Sequence, residues 1–411
     1  MSPLPVYHLD LNDSEFIRDP YPRLHELREH KPVFRDERWN KVFFTRHAAI
    51  AALLRDKRLG RRPVPARASV AGGAPPRDAR LADFDRYQEN VFMDWEPPDH
   101  TRIRSLVTKV FTPRRVEGLL GKLESTTHRL IDAAEDGGLI EFVREIAEPL
   151  PVLMIADLLG IPEADRHRLR PWSAAIVKIY ELDYSEEQMV QASRAAREFM
   201  EYIGGLAEQR RVHPEDDLIT GLVQSEHDGG TLSDDELRAT CIFLLNAGHE
   251  ATVNGSALGL LALVRDPAQF DLLQGAAHSP DGAGLIKTAV DELLRYDSPL
   301  PMFERWVGED MQVDGVPLER GTAVALLYAS GNRDARRFGN PDRLDVARTD
   351  NPLLTFGLGT HYCLGAPLAR LELQILFKVL LQRLPRIRLA AEPEYNDGFV
   401  IRGLKSLTVT T

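Results

Sequence analysis

The stretch Phe356-Gly357-Leu358-Gly359-Thr360-His361-Tyr362-Cys363-Leu364-Gly365 determines how the rest of the sequence is interpreted. Its glycines allow a tight loop that can pack against a flat group and turn backbone amides toward the Cys363 sulfur. Cys363 stands at the start of a predicted helix, where the helix dipole and unpaired N–H groups favour the thiolate over the thiol. We therefore interpret Cys363 as a metal-ligating thiolate.

The two cysteines of the chain require different interpretations. Cys241 lies within a long apolar segment, and it is expected to be a small buried hydrophobic residue. The glycine-rich frame argues against that role for Cys363. Zinc is also disfavoured, because His361 and Cys363 have no second Cys/His pair to complete four ligands. Thiolate ligation suits a haem iron that splits dioxygen rather than carrying it.

Helical patterns flank this loop on both sides. The last helix is predicted to begin after Cys363, with Pro367 in its first turn, and to end near Leu384. Upstream, Ser233 and Glu236 form a capping box that opens a long helix running to about residue 265. That helix is apolar almost all round, so it should be buried. A further helix is predicted over residues 283–296, ending before a proline.

The rest of the chain is predicted to be mainly α with a minor β portion. Nearly everything from residue 100 to 264 has helical period, and shorter helices are predicted over 19–29 and 48–54. β-like pieces occur at 39–45, 313–317, 323–328 and in the tail 387–411, and 331–354 reads as irregular. The stretch 61–77 reads as a surface loop. No break is clean enough to mark a domain boundary, so a single domain over 1–411 is expected.

Composition restricts the class of protein. The chain has 411 residues and a formal net charge of -11, which argues against nucleic acid as a general partner. Two cysteines agree with a reducing compartment. No apolar run reaches the roughly 18 to 20 residues that span a bilayer, and the first residues lack a signal-peptide pattern. A cytoplasmic protein without a membrane partner is expected.

The Cys363 segment resembles the haem-binding signature of the cytochrome P-450 superfamily at every fixed position, and the resemblance extends over almost the whole chain. It implies a soluble bacterial-type monooxygenase with a single triangular, mostly helical domain (α+β). Haem b would lie between the long central helix and the helix after Cys363. Cys363 would be the axial ligand of the iron, and Phe356, Gly357 and Gly365 would frame the cofactor. Dioxygen and external electrons are implied.

Two further sets of residues match family positions. The resemblance implies that four residues bind the haem propionates, although each alone could be an ordinary surface charge: His100, Arg104, Arg305 and His361. Glu292 and Arg295, three apart on one helix, would form a buried network with Arg348 that supports the haem loop. The other interpretation of that pair is a solvent-exposed contact worth under about 1 kcal/mol.

The long helix carries the segment Ala247-Gly248-His249-Glu250-Ala251-Thr252, which resembles the oxygen-activating motif of the family. Gly248 would leave room for dioxygen, and Glu250 would relay protons. The family usually has Thr immediately after the acid, where this chain has Ala251. Thr252 follows one residue later, rotated by about 100 degrees. Its hydroxyl is either catalytic or bonded to the carbonyl four residues earlier.

Partners follow from the resemblance and from what the sequence lacks. No flavin or nucleotide fingerprint appears, so electrons are expected from a separate ferredoxin or flavodoxin with its reductase. Such partners are acidic, and the candidate docking residues are Lys109, Arg114, Arg115 and Arg370. A solvated basic face is the other interpretation of those four. A monomer is expected.

The substrate pocket is predicted from family positions alone. Its residues are largely apolar, which indicates a small-to-medium hydrophobic substrate: Phe84, Val91, Phe92, Leu245, Ala247, Leu300, Met302, Phe303, Phe399, Val400 and the region 172–182. Acidic groups that could recognise a polar group are Glu181, Asp183 and Glu304. Two alternatives stay open: a peroxide-driven or non-oxygenating haem-thiolate enzyme, and a haem sensor without turnover.

Overall fold

A computed structural model of the chain describes residues 4–63, 78–135, 137–181, 184–225 and 230–411. Of the loop predicted over 61–77, residues 64–77 lie outside these ranges, and so does Asp183. Among the described residues, no helix has both the length and the apolar character needed to cross a membrane.

Helices account for most of the described residues. The helices are α1 Ser14–Arg18, α2 Tyr21–His30, α3 His47–Arg55, α4 Ala82–Glu89, α5 Asp99–Val110, α6 Pro113–Gly118, α7 Leu120–Ala134, α8 Pro149–Leu159, α9 Leu169–Val177, α10 Glu186–Val212, α11 Leu218–Gln224, α12 Asp234–Arg265, α13 Pro267–His278, α14 Ala283–Tyr296, α15 Tyr328–Gly331 and α16 Ala366–Arg383. Short 3₁₀ turns at Phe92–Asp94, Lys178–Tyr180 and Gly359–His361, and a π-helical turn at Val143–Ala147, connect some of them.

The described strands form four small sheets. They are β1 Val33–Asp36, β2 Lys41–Phe44, β3 Leu59–Gly60, β4 Leu139–Glu141, β5 Phe303–Val307, β6 Met311–Val313, β7 Val316–Leu318, β8 Ala323–Leu326, β9 Arg388–Leu389, β10 Glu394–Tyr395, β11 Leu404–Ser406 and β12 Thr408–Thr410. The largest sheet has the order β1-β2-β8-β5-β3, in which β2 and β8 are parallel. The sheet therefore joins the N-terminal segment to the chain just after α14.

The predicted strand at 313–317 is wrong. The structure has a hairpin there, with β6 ending at Val313 and β7 beginning at Val316. Asp314 and Gly315 form the turn with φ of 49° and 78°, the left-handed pair that tight hairpins use. The Asp-Gly dipeptide was the sequence signal for this turn.

The long central helix α12 is confirmed with its capping box, since the Ser233 side chain accepts from the Glu236 N–H and Glu236 bonds back to the Ser233 N–H. α14 also begins and ends as predicted. α12 is buried along most of its length, and Cys241 on it is fully buried, as predicted. Two hydrophobic clusters meet on α12: Leu245 belongs to one and Leu258 to the other. The helix thus runs through the core and carries residues 247–252 to its centre.

Candidate haem site

The loop before α16 is shaped by two glycines with left-handed backbone. Gly357 and Gly359 have φ of 65° and 73°. A Cβ on Gly359 would also lie 2.6 Å from the Leu54 carbonyl oxygen, so no side chain fits there. The loop closes on itself through the Cys363 N–H, which donates to the Phe356 carbonyl at 2.9 Å. The tight loop predicted from the glycines is confirmed.

The Cys363 sulfur faces backbone amides, as the sequence suggested. The N–H groups of Gly365 and Ala366 donate to it, and each lowers the pKa of the thiol. Burial is the larger effect, however, and it raises the pKa above the ordinary thiol value. The amides therefore act in the predicted direction, and burial opposes them. A bound cation would be needed to hold the sulfur deprotonated at this depth.

The middle of α12 borders an internal opening. Ala247 is exposed and Gly248 is partly exposed, although their neighbours Leu245 and His249 are 0% and 2% exposed. The atom nearest to a Cβ placed on Gly248 is a methyl of Ile155 at 3.9 Å. Because α12 is otherwise buried here, the accessible surface of these two residues faces a space inside the protein.

A row of aromatic rings joins this helix to the cysteine loop. Phe243 on α12 packs edge-on against Phe92 at 5.5 Å between ring centroids. Phe92 contacts His100 on α5 at 6.1 Å, and His100 contacts His361 at 4.5 Å. Leu364, next to Cys363, packs into the same hydrophobic cluster as Leu245. The opening therefore has α12 on one side and the cysteine loop on the other.

Basic side chains collect at the edge of the opening without enough acidic partners. Both ring nitrogens of the buried His100 lack a hydrogen bond, and so does Nδ1 of His361. Burial, then repulsion from His361 and Arg104, lowers the pKa of His100 to about 4. Arg305 on β5 is 4% exposed, and burial lowers its pKa to about 10. Arg104 donates to the Tyr362 carbonyl at 2.6 Å. The structure thus brings together the four residues predicted to bind propionates.

This donor set fits haem. Buried nitrogens without hydrogen-bond partners, and cationic side chains with depressed pKa values, are expected where such side chains surround a binding site for an anion. Two propionates would supply that anion. The Cys363 sulfur on one side and the gap beside Gly248 on the other match a flat cofactor with a central iron.

Comparisons with known proteins agree with this geometry. The family model of cytochrome P-450 matches residues 170–386. The polyketide biosynthesis cytochrome P-450 PksS of Bacillus subtilis is 37% identical over 406 residues, which cover 96% of each chain. The chain belongs to the cytochrome P-450 family. The mycinamicin IV hydroxylase/epoxidase of Micromonospora griseorubida is 37% identical over 94% of each chain.

Solved structures of cytochromes P-450 have the same fold. The crystal structure of P450BioI in complex with an acyl carrier protein ligated to hexadec-9Z-enoic acid superposes with a TM-score of 0.87. Its sequence is 34% identical, and the match covers 97% of this chain and 100% of that one. The predicted mainly α fold with a minor β portion is confirmed. As a cytochrome P-450, the protein is a monooxygenase that uses haem b, dioxygen and external electrons, and the alternative of a sensor without turnover is set aside.

The trio predicted to support the haem loop is assembled in the interior. Arg295 donates to Glu292 through Nε at 2.7 Å and through Nη2 at 2.8 Å, and both side chains are fully buried. Arg348 donates to the same carboxylate at 3.0 Å. Arg295 also binds the carbonyls of Asn332 and Pro341. The alternative of a solvent-exposed pair is therefore wrong.

Glu250, the acid on α12, is partly exposed and lies near the ionisable side chains of Glu148, Arg170 and His249. Burial and the neighbouring Glu148 raise the pKa of Glu250, whereas Arg170 lowers it. His249 Nδ1 lies 3.6 Å from the Glu250 carboxylate. Thr252 donates to the Gly248 carbonyl at 2.9 Å, so its hydroxyl is bonded within the helix. Ala251, which is partly exposed, is the residue whose position borders the opening.

The predicted pocket residues differ in what they face. Phe84, Phe92 and Leu245 are at most 6% exposed in the cluster that borders the opening, and Val91 lies with them. Met302 and Phe399 instead pack in the core beneath the N-terminal segment, where Phe399 contacts Phe16 at 4.8 Å. Leu300, Phe303 and Val400 keep part of their surface accessible.

The acidic candidates for substrate recognition are engaged by the protein itself. Glu181 accepts from the Ile401 N–H at 3.2 Å. Glu304 pairs with Lys41 at 3.0 Å. The first contact connects the residue after the 3₁₀ turn Lys178–Tyr180 to the C-terminal loop, and the second connects β5 to β2. Both carboxylates therefore stabilise the fold.

One residue of the site escaped the sequence reasoning. Glu96 accepts from the Arg61 N–H at 2.7 Å and lies 3.1 Å from His361 Nε2. It is the carboxylate that partly balances the basic cluster. The sequence signal was its position four residues before His100, a predicted propionate ligand.

Proposed function

We propose that the protein inserts one oxygen atom of O2 into a small-to-medium hydrophobic organic substrate, with electrons from a separate ferredoxin or flavodoxin and its reductase. The observation that carries this proposal is the basic cluster of His100, Arg104, Arg305 and His361 near Cys363, in which both ring nitrogens of the buried His100 lack a hydrogen-bond partner among the described residues. We propose one domain over residues 1–411, located in the cytoplasm. Relatives that match 94–97% of the chain support the single domain.

The residues on the cysteine side would hold the cofactor. Cys363 would ligate the haem iron through its sulfur, to which the amides of Gly365 and Ala366 donate. His100, Arg104, Arg305 and His361 would bind the propionates, whose charge would restore the depressed pKa values of this cluster. The bound haem would supply the activation of dioxygen. The protein supplies ligand, orientation and proton delivery.

On the opposite side, Glu250 would hold and release the protons. Burial raises the pKa of this carboxyl, so it holds its proton to a higher pH than an exposed glutamate. Gly248 leaves the space that dioxygen needs. Ala251 offers no hydroxyl, and that of Thr252 is bonded to Gly248. We infer that ordered water, or a hydroxyl of the substrate, completes the path from Glu250.

The nature of the substrate is supported by the pocket and by the relatives. The walls around the opening are mostly aromatic and aliphatic, which favours an apolar molecule. Polyketide biosynthesis and fatty-acyl carrier binding appear among the relatives' names. An extended or cyclic apolar chain is therefore the substrate class that we propose.

The test is spectral and then functional. Reduced with carbon monoxide, the purified protein should give the Soret band of thiolate-ligated haem, and Cys363→Ser should abolish it. Cys241→Ser, the control at the other cysteine, should retain it. Product should form with ferredoxin, reductase and NAD(P)H. A peroxide-driven enzyme, the alternative that Ala251 leaves open, would instead turn over with hydrogen peroxide and not with the reductase.

A further inference from the structure

One polar side chain on α12 lies at the border of the opening. The accessible residues Phe243, Ala247, Gly248, Glu250 and Ala251 share one side of the helix. At about 100° per residue, Asn246 lies about 40° from Glu250 and about 60° from Phe243 on the helix circumference. Asn246 therefore flanks the accessible side, one turn before Glu250, and the other accessible residues of this side are apolar.

The Asn246 carboxamide is only half satisfied. The side chain is 4% exposed, and its Nδ2 donates to the Tyr87 hydroxyl at 3.5 Å. Its Oδ1 has no hydrogen-bond partner. An unpaired buried acceptor costs about 1–3 kcal/mol, so its presence beside a cavity calls for a donor from outside the described residues.

A chain of hydrogen bonds sets the direction of that carboxamide. The Tyr87 hydroxyl lies 3.4 Å from that of Tyr180, which donates to Gln88 Oε1 at 3.0 Å. Gln88 Nε2 in turn donates to the Asp94 carboxylate. A carboxylate only accepts, so each donor in the chain points toward Asp94 and the Asn246 NH2 must point at Tyr87. The acceptor Oδ1 is what remains for a ligand.

We propose that Asn246 Oδ1, held in place by the Tyr87–Tyr180–Gln88–Asp94 chain, binds a hydrogen-bond donor of the substrate. The inference rests on the proposed function, and it deepens it. The substrate is an otherwise apolar molecule that carries a hydroxyl or N–H group, and that group fixes which carbon faces the reacting centre. Tyr180, the partly exposed member of the chain, flanks the same subsite.

The experiment compares ligand pairs that differ only in the donor. The pairs are a fatty alcohol, a hydroxysteroid and a fatty amide, each with its O- or N-methylated form, titrated against the holoprotein by the low-spin to high-spin Soret shift. We expect the donor form to bind about tenfold more tightly in at least one pair, the usual effect of one buried hydrogen bond. Asn246→Leu should remove that preference while the methylated ligand binds as before.

Two variants keep the test decisive. Tyr180→Phe interrupts the chain without touching α12, and it should reduce the preference as well. Tyr202→Phe removes a hydroxyl that bonds Asp165 on the outer side of α10, and it should leave the preference intact. A preference that persists in Asn246→Leu, or no preference in any pair for the native protein, overturns the subsite. The reduced carbon monoxide spectrum reports on the haem-thiolate proposal separately.

Discussion

Single residues decide the chemistry on the two faces of the site. On the ligand side, Cys363 lies in a loop that admits only glycine at residue 359. On the oxygen side, the substitution that matters is Ala251, because the hydroxyl of the next residue is bonded within the helix. Proton delivery is therefore the step in which this chain is expected to differ from relatives with Thr at that position.

Ala251→Thr should improve the coupling of NAD(P)H oxidation to product. A hydroxyl at residue 251 would border the opening beside Glu250 and replace water in the path. We expect the product formed per NAD(P)H to rise by about twofold or more. Thr252→Val is the control, because its hydroxyl only contacts the Gly248 carbonyl, and it should leave coupling unchanged. Unchanged coupling in Ala251→Thr with every substrate tried would show that the missing hydroxyl has no mechanistic importance.

At the scale of elements, α14 and α16 each carry buried ionisable side chains that affect the stability of the fold around the site. α14 contributes Glu292 and Arg295, which attach the irregular segment after α15 to the core through Arg348. α16 contributes Glu372, which is 2% exposed. The two helices affect stability in different ways, because Glu292 is paired with two arginines, whereas burial is what raises the pKa of Glu372.

Glu292→Gln should destabilise the fold strongly. It removes the shared partner of Arg295 and Arg348, which are 0% and 11% exposed. We expect a loss of about 3–5 kcal/mol in the free energy of unfolding, measured by urea titration of the holoprotein, together with weaker haem retention. Glu26→Gln, in the exposed pair with Arg23 at the same spacing, should cost under about 0.5 kcal/mol. Equal losses in the two variants would refute the network's importance.

Glu372 should make stability depend on pH. Burial raises its pKa from the ordinary 4.5 to about 8, so the folded state holds a proton that the unfolded state releases. The stability that protonated Glu372 contributes to the folded state is therefore fully present below about pH 4.5, and it is lost as the pH rises toward about 8. The slope is at most about 1.4 kcal/mol per pH unit. Glu372→Gln should make the urea midpoint of unfolding less dependent on pH between pH 5 and about 8. The exposed Glu187→Gln, as the control, should retain the pH dependence of the native protein.

At the scale of the whole molecule, the docking face predicted for the redox partner is only partly available. Arg370 pairs with Asp291 at 2.7 Å and stacks on Phe356, and Arg115 pairs with Asp216 at 3.1 Å. Lys109 lines a groove of about 500 Å³ that also borders His100 and Arg104. Arg114 is exposed close by on α6. Of the four candidates, Lys109 and Arg114 are the exposed pair, so these are the side chains that an acidic partner would contact from solvent.

Lys109→Glu with Arg114→Glu should weaken the use of an acidic ferredoxin. We expect its apparent KM to rise about tenfold at low ionic strength, and the effect to shrink with added salt. Arg23→Glu with Arg194→Glu imposes the same change of net charge on α2 and α10 and should leave the KM for ferredoxin near the native value. An unchanged KM in the first variant would discard this docking face.

Local features were predictable from the sequence because they depend on neighbours along the chain. The glycines around Cys363, the Ser233–Glu236 capping box and the limits of α14 follow from backbone sterics and helix-end hydrogen bonds. The Asp314-Gly315 hairpin is also a local feature, because the Asp-Gly dipeptide itself favours a tight turn, although a strand was predicted across it.

Tertiary structure alone decided which polar groups lack partners and which charges are buried. The sequence by itself determined the family, the tight glycine loop around Cys363 and the long central helix. It could not show that burial outweighs the amides at Cys363, that Glu96 reaches His361, or that Asn246 Oδ1 stays unpaired. The physical reason is that desolvation and hydrogen-bond satisfaction depend on residues far apart in the chain, and these are placed only when the helices pack.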